Sequence, residues 1–454
     1  MEPDNLRFGG GATDTILHPL VAAALALVII LIFCLPRKHI IVPLLLMIFL
    51  TPRGQVLLLG GVHFTVARIL ILMALARWAI SAKSAPLAGG FTPIDRAFTL
   101  LAVTYLIVFS LQWMQSQAFI KSLGDFLDTL GGYFVMRFLI RDREDIVRAI
   151  KALAIVAIIM APFMYLEQKI QRDLFGLLGG IPEGVSVRDG QIRSRGAFAV
   201  YITAGAFGAF LIPLLIWFWT SGKSKLFAAV GAAAATIMTY TSHSSTPLLA
   251  FVGGLVGLGF WPLRGRMRAF RWAMALTLIT LHLVMKAPVW ALIARVDLTG
   301  SSSGYQRFML MDTCIRHFWD WWLIGVKDYN SWGFDMWDLS NQYVAEALTG
   351  GLISLVLFIL VISRGFGQLG ILRKKVAGDR AHEWFLWCLC ASLLSNVVAY
   401  FGIGYFDQMQ FAWQALLAII CAAVAEGTSA HLSTAPEVLP PISESGAVLH
   451  WQAS

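Results

Sequence analysis

The residues with most scope for chemistry in this chain are arginines placed against apolar runs. Arg193-Ser194-Arg195 stands immediately before Gly196-Ala197-Phe198 and a long hydrophobic stretch. A guanidinium keeps its charge at every physiological pH, and its planar donors match a phosphate bidentately. Two of them at a loop edge form an anion clamp, or else they lie along apolar surface with their heads in water. A second loop carries Ser301-Ser302-Ser303-Gly304-Tyr305-Gln306-Arg307, followed by Asp312 and Arg316. The Ser and Gly run predicts a helix start with Arg307 in its first turns. Arg307 and Arg316 stand nine apart and cannot share one narrow helical face. Arg307 is then either a second anion ligand or a salt-bridge partner for Asp312 or another loop acid.

Candidate proton acceptors lie near these arginines in sequence. His317 titrates in the range suited to general base work. It sits beside Trp319, Trp321 and Trp322, which read as an interfacial anchor or as a stacking platform for sugar rings. Asp335 and Asp338 are three apart, so one helical turn brings them together. They either cap the helix that follows or take the proton of an attacking hydroxyl. His243 lies in a polar break, Tyr240-Thr241-Ser242-His243-Ser244-Ser245-Thr246-Pro247. That break is a surface turn or lines the same cavity as the arginines. The outer loops hold no Asp-x-Asp and no His/Cys cluster with ligand spacing, so the sequence implies no metal and no cofactor.

These loops need a scaffold, and composition says what it is. Of 454 residues, 58% are hydrophobic and only 13% charged, where a soluble domain carries nearer one quarter. Mean hydropathy is +0.72. Continuous apolar runs of bilayer-spanning length recur, about thirteen of them. They fall near 15–35, 40–58, 63–81, 95–113, 120–140, 146–166, 197–220, 225–241, 246–263, 270–287, 341–363, 385–403 and 407–425. Continuity rather than alternation marks helices, not barrel strands. The expected fold is an all-α polytopic membrane protein of 12–13 spans, a single transmembrane domain over 1–426. The second run is interrupted by Pro43, Pro52 and Gly54. Were it re-entrant, the N-terminus would change side.

Basic turns set the expected orientation. Arg37 and Lys38, Arg141 to Arg148, Lys223 and Lys225, Arg264 to Arg271, and Arg373 to Arg380 all fall on one side of this topology. The positive-inside rule makes that side cytoplasmic. It also accounts for the net charge of +9 without a nucleic-acid partner. The first segment has a flank acidic on balance (Glu2, Asp4, Arg7, Asp14), where a signal peptide needs a basic start. Four of the five cysteines lie in apolar runs, so no external disulfide pair is expected. The tail, 427–454, is rich in Ser, Pro and Ala and reads as disordered and cytoplasmic. Every cytoplasmic loop is too short for a nucleotide-binding domain. The long segments, about 167–195 and 286–340, lie on the opposite face. A substrate must reach them through the bilayer or from outside.

Over about residues 190–365 the chain resembles the O-antigen ligase and O-antigen polymerase superfamily of bacterial membrane glycosyltransferases. Three stretches carry the resemblance: Arg195-Gly196-Ala197-Phe198, Ser303-Gly304-Tyr305-Gln306-Arg307, and Leu323-Ile324-Gly325 followed by Ser340-Asn341-Gln342-Tyr343 and Gly351-Leu352. The chain departs from the family pattern at two places: the frequent histidine before Asn is Ser340 here, and the frequent Ser-Arg is replaced by Ser242-His243. The resemblance implies location in the bacterial inner membrane, and a polyprenyl-diphosphate-linked glycan donor used on the periplasmic face. The reaction would polymerise exopolysaccharide or O-antigen repeats, or ligate the glycan to lipid A core. On this reading Arg195 and Arg307 bind the diphosphate with Arg193 and Arg316 as helpers. Asp338, Asp335, His317 or His243 accepts the hydroxyl proton, and Tyr305, Asn341 and Tyr343 contact substrate. Other polysaccharide-assembly proteins are the expected partners. A transporter or flippase, or a non-catalytic subunit of a secretion complex, are the rival expectations.

Overall fold

The computed structural model describes residues 15–60, 62–81, 87–222, 224–295, 304–333 and 336–434. Helices dominate it. They are α1 (Pro19–Cys34), α2 (Arg37–Leu50), α3 (Val66–Ser81), α4 (Pro93–Trp113), α5 (Ser116–Phe126), α6 (Gly132–Leu139) and α7 (Arg143–Ile170). After them come α8 (Tyr201–Thr220), α9 (Lys225–Thr241), α10 (Ser245–Gly259), α11 (Met267–Val284), α12 (Gly304–Arg316) and α13 (Phe318–Trp321). The chain closes with α14 (Gln342–Lys375), α15 (Arg380–Ala399) and α16 (Gln408–Thr434). Five of these, α4, α7, α8, α14 and the Gln408–Thr428 part of α16, are long and apolar enough to cross a bilayer. A sixth candidate is α10 with Trp261–Val284, bent by 71°. The chain is thus a helical protein of multi-pass membrane type. The exposed apolar side chains agree: Leu20, Trp272 and Leu283 are each two-thirds or more exposed, a liability in water and ordinary against lipid.

Two corrections concern backbone form. The run expected to span at 40–58 ends as α2 at Leu50, with Pro52 directly beyond. It then turns into an antiparallel hairpin, β1 (Val56–Leu59) on β2 (Val62–Thr65). Proline has no N–H to donate and fixes its own φ, so the helix stops there. The segment 167–195, expected as loop, holds a second hairpin, β3 (Ser186–Arg188) on β4 (Gln191–Arg193). The last helix runs past Gly427, where the sequence places the tail, to Thr434; residues 435–454 lie outside the described residues.

α8 is the centre of the bundle. Its phenylalanines Phe207 and Phe210 are buried, and Phe207 packs 4.9 Å from Phe49 and 5.3 Å from Phe198. The basic turns gather at one end. Arg37 pairs with Asp145 at 2.7 Å, Arg264 with Glu383 at 3.1 Å, and Arg373 donates to the Arg264 carbonyl at 2.8 Å. Arg143 lies 3.7 Å over Phe385, and the Trp384 indole donates to Thr220 at 2.9 Å. The other end is tied by Gln55 donating to Leu178 O at 2.6 Å, and by Gln408 donating to Thr51 O at 3.2 Å and Ala197 O at 2.8 Å. Both hairpins, α12 and the turns at 241–245 and 400–407 lie there.

Candidate functional site

A cavity of about 1450 Å³ opens at this second end. Its wall comes from more elements than the two long loops: α3, α4, the Lys121–Thr129 segment, the start of α14, the 400–407 turn and the first hairpin all contribute. Chemistry is therefore not confined to the loops that break the apolar pattern. The structure puts charged helix residues on the cavity wall as well. Arg68 of α3 pairs with Asp128 at 2.6 Å, Lys121 with Asp125 at 2.8 Å, and Arg53 with Asp407 at 2.8 Å. Glu346 of α14 lines the same space, as does Asp338. The signal for Arg68, Asp128 and Glu346 was present in the sequence: an ionisable side chain inside an apolar run is costly and marks function by default.

Arg307 is the expected site residue that the structure isolates most sharply. It is 5% exposed on the first turns of α12, and its Nε makes no hydrogen bond. It is packed against the 400–407 turn so closely that a Cβ on Gly402 would lie 2.9 Å from that Nε. Gly402 itself lines the cavity, and its carbonyl accepts from Thr246 at 3.2 Å. Burial pulls the Arg307 guanidinium down to about 10; Arg188 and Arg193 push it the same way, and Asp338 partly offsets them. Arg193, also 5% exposed, donates to the Tyr201 hydroxyl at 2.7 Å and lies 4.6 Å from that ring's centre. Tyr201 lines the cavity. Arg307 thus lies in the field of Arg188, Arg193 and the cavity-lining Asp338, and its Nε has hydrogen-bonding capacity left over.

His243 joins this group. It sits in the left-handed region (φ 38°), and burial, with Arg193 next, lowers its pKa. The surrounding polar break is not a surface turn: Thr241, Ser242, Ser244, Ser245 and Thr246 are all buried. It packs behind the arginine strand, where Ser194 N–H donates to Thr241 O at 3.0 Å.

Other expected site residues have structural employment. The Arg195 guanidinium pairs with buried Asp173 at 2.9 Å and donates to Pro182 O, while its backbone N–H and that of Gly196 donate to Glu167 at 3.1 Å. The Arg-Gly-Ala-Phe stretch is an elbow: Gly196 takes φ +56°, and Phe198 is fully buried. Arg316 is 77% exposed and pairs with Asp312 at 2.6 Å, so Asp312 does not neutralise Arg307. Tyr305 points outward, 66% exposed. His317 is held by Asp320 at 2.8 Å and stacks on Trp332 at 4.2 Å.

Asn341, not Asp338, caps α14, accepting from Tyr343 N at 3.0 Å and Val344 N at 3.2 Å. Tyr343 packs 4.7 Å from Phe401 and donates to Val397 O at 3.3 Å. Asp335 lies outside the described residues.

The remaining motif pieces are mates. Gly351 breaks α14 at φ +73° and presses on the Leu323 carbonyl, and Leu352 N–H donates to Trp322 O at 2.9 Å. Gly325, at φ +69°, meets the Leu348 carbonyl, which also accepts from Val326 N–H at 2.8 Å. Leu-Ile-Gly and Gly-Leu are therefore two halves of one backbone crossing that only glycine allows.

No protein-family model matches the chain, and no curated protein matches it. The resemblance in the sequence rests on these motifs alone.

Proposed function

We propose that this chain is a metal-independent membrane glycosyltransferase that uses a polyprenyl-diphosphate-linked glycan as donor, polymerising exopolysaccharide or O-antigen repeats. The observation that carries the reading is Arg307. A buried guanidinium with an unmade hydrogen bond, in the field of two like charges and packed behind Gly402 of the cavity wall, is poised for an anion. A diphosphate leaving group gains charge as the glycosidic bond breaks, and fixed cations stabilise that charge without reorganising. The cavity offers room for a sugar beside the bilayer. Arg307 and Arg193 bind the diphosphate on this reading, with Arg188 adding to their field, and Arg195 holds the loop in place. The remaining helices also cross the bilayer, the basic end faces the cytoplasm, and the cavity opens to the periplasm of a bacterial inner membrane. Ligation to lipid A core differs only in the acceptor.

A transporter is the second reading, and two observations favour it. A broken helix stands near the site, at Gly351 of α14. An Arg–Asp pair lines the cavity from within helices. Both are transporter traits. The test is Arg307→Ala in the native strain, read by gel for glycan chain length, beside the flux of a labelled polyprenyl-linked sugar across vesicles. Loss of long chains with flux unchanged supports the transferase; unchanged glycan refutes it.

A further inference from the structure

Resting on the transferase reading, we infer that Glu346 accepts the proton of the acceptor hydroxyl. The expected histidine is absent at Ser340, and His317 is committed to Asp320 and Trp332. The carboxylates on the cavity wall can be ranked by their neighbours. Asp125, Asp128 and Asp407 each pair with a cation within 2.8 Å. Asp338 lies in the field of Arg307. A carboxylate oxygen that already faces a cation has its lone pair committed and is less free to meet an incoming hydroxyl. Glu346 has no ion pair among the described residues. The group that holds it is neutral: the Gln342 amide donates to its Oε1 at 2.8 Å.

The same glutamine ties Glu346 to the anion site. Gln342 Oε1 accepts from Tyr405 N–H at 2.6 Å, and Gln342 N–H donates to Tyr400 O at 2.9 Å. The segment 400–405 so gripped contains Gly402, against which Arg307 packs. Base and anion site are therefore held by one short turn: Glu346 and Gly402 line the cavity, and Arg307 packs behind Gly402. The groups facing Glu346 from neighbouring elements are Tyr105 of α4 and Tyr400, both uncharged.

The step balances simply. The acceptor oxygen forms its bond to the anomeric carbon of the donor, and the carbon–oxygen bond to the diphosphate breaks. The diphosphate leaves with that electron pair, still on its polyprenol. The hydroxyl proton passes to the Glu346 carboxylate and then to water in the cavity.

The experiment compares Glu346→Gln, Glu346→Asp and Arg307→Ala at matched membrane abundance. It reads glycan made in cells, and binding of undecaprenyl diphosphate to the purified protein. A general base contributes about a hundredfold or more. Glu346→Gln should lose product on that scale while undecaprenyl diphosphate binding stays within twofold, and Glu346→Asp should keep measurable product. Glu346→Gln retaining product within threefold overturns the inference, and so does parallel loss of diphosphate binding. Should Arg307→Ala leave glycan intact, the transferase reading itself fails; its loss in Arg307→Ala with Glu346→Gln active removes only the base.

Discussion

Replacing Arg307 with Met should stabilise the protein and abolish its product. The fall of this guanidinium from the ordinary arginine value to about 10 is a folding cost. At about 1.4 kcal/mol for each pH unit it comes to about 3 kcal/mol. The sign follows from linkage: a cation whose pKa is depressed on folding destabilises the native state while it is charged, and the cost lifts only as pH rises through the folded value. At neutral pH the whole cost applies. Met fills most of the volume and carries no charge, and such exchanges of buried charge for apolar side chains gain about 1–4 kcal/mol. A thermal scan of the detergent-solubilised protein, followed by tryptophan fluorescence, should show Arg307→Met melting a few degrees above the parent. Cells carrying it should make no long glycan. A residue whose loss raises stability and removes activity is held for function. A variant that melts lower, or that melts higher and still makes glycan, refutes the argument.

Arg195 should behave in the opposite way. Arg195→Ala leaves Asp173 buried and unpaired and should cost about 3–5 kcal/mol; Arg195→Met with Asp173→Leu should recover much of it in a double-mutant cycle of melting temperatures. Asn341→Ala removes the α14 cap and should cost about 0.5–2 kcal/mol, with Asn341→Asp restoring it. Burial raises the Asp407 carboxyl to about 6 despite Arg53. The folded protein therefore holds that proton more tightly than the unfolded chain. Its contribution to stability is full below about pH 4 and is lost as pH climbs through 6. Melting temperatures from pH 4 to 7 should show this slope in the parent and a flatter one in Asp407→Asn.

Much was legible in the sequence because bilayer chemistry is local. A run of apolar residues long enough to cross lipid must be helical whatever its neighbours, since every backbone group has to find its partner within the segment. That fixed the class, most helix positions and the clustering of basic turns. Pro52 and Gly54 marked the weak second run but did not reveal a hairpin, because β1 and β2 are as apolar as a span. The arginines were also visible, but their roles were not. Arg195 and Arg307 look alike in sequence: each opens or precedes a helix on the same face. Only packing gave Arg195 a buried aspartate twenty-two residues back and left the Arg307 Nε without a hydrogen bond among the described residues. Glu346 is visible as an ionisable residue in an apolar run, but its role was hidden for the same reason. A carboxylate is a base or a bystander according to the charges around it, and those charges reach the cavity from α3, the Lys121–Thr129 segment and the 400–407 turn, which only the tertiary fold brings together.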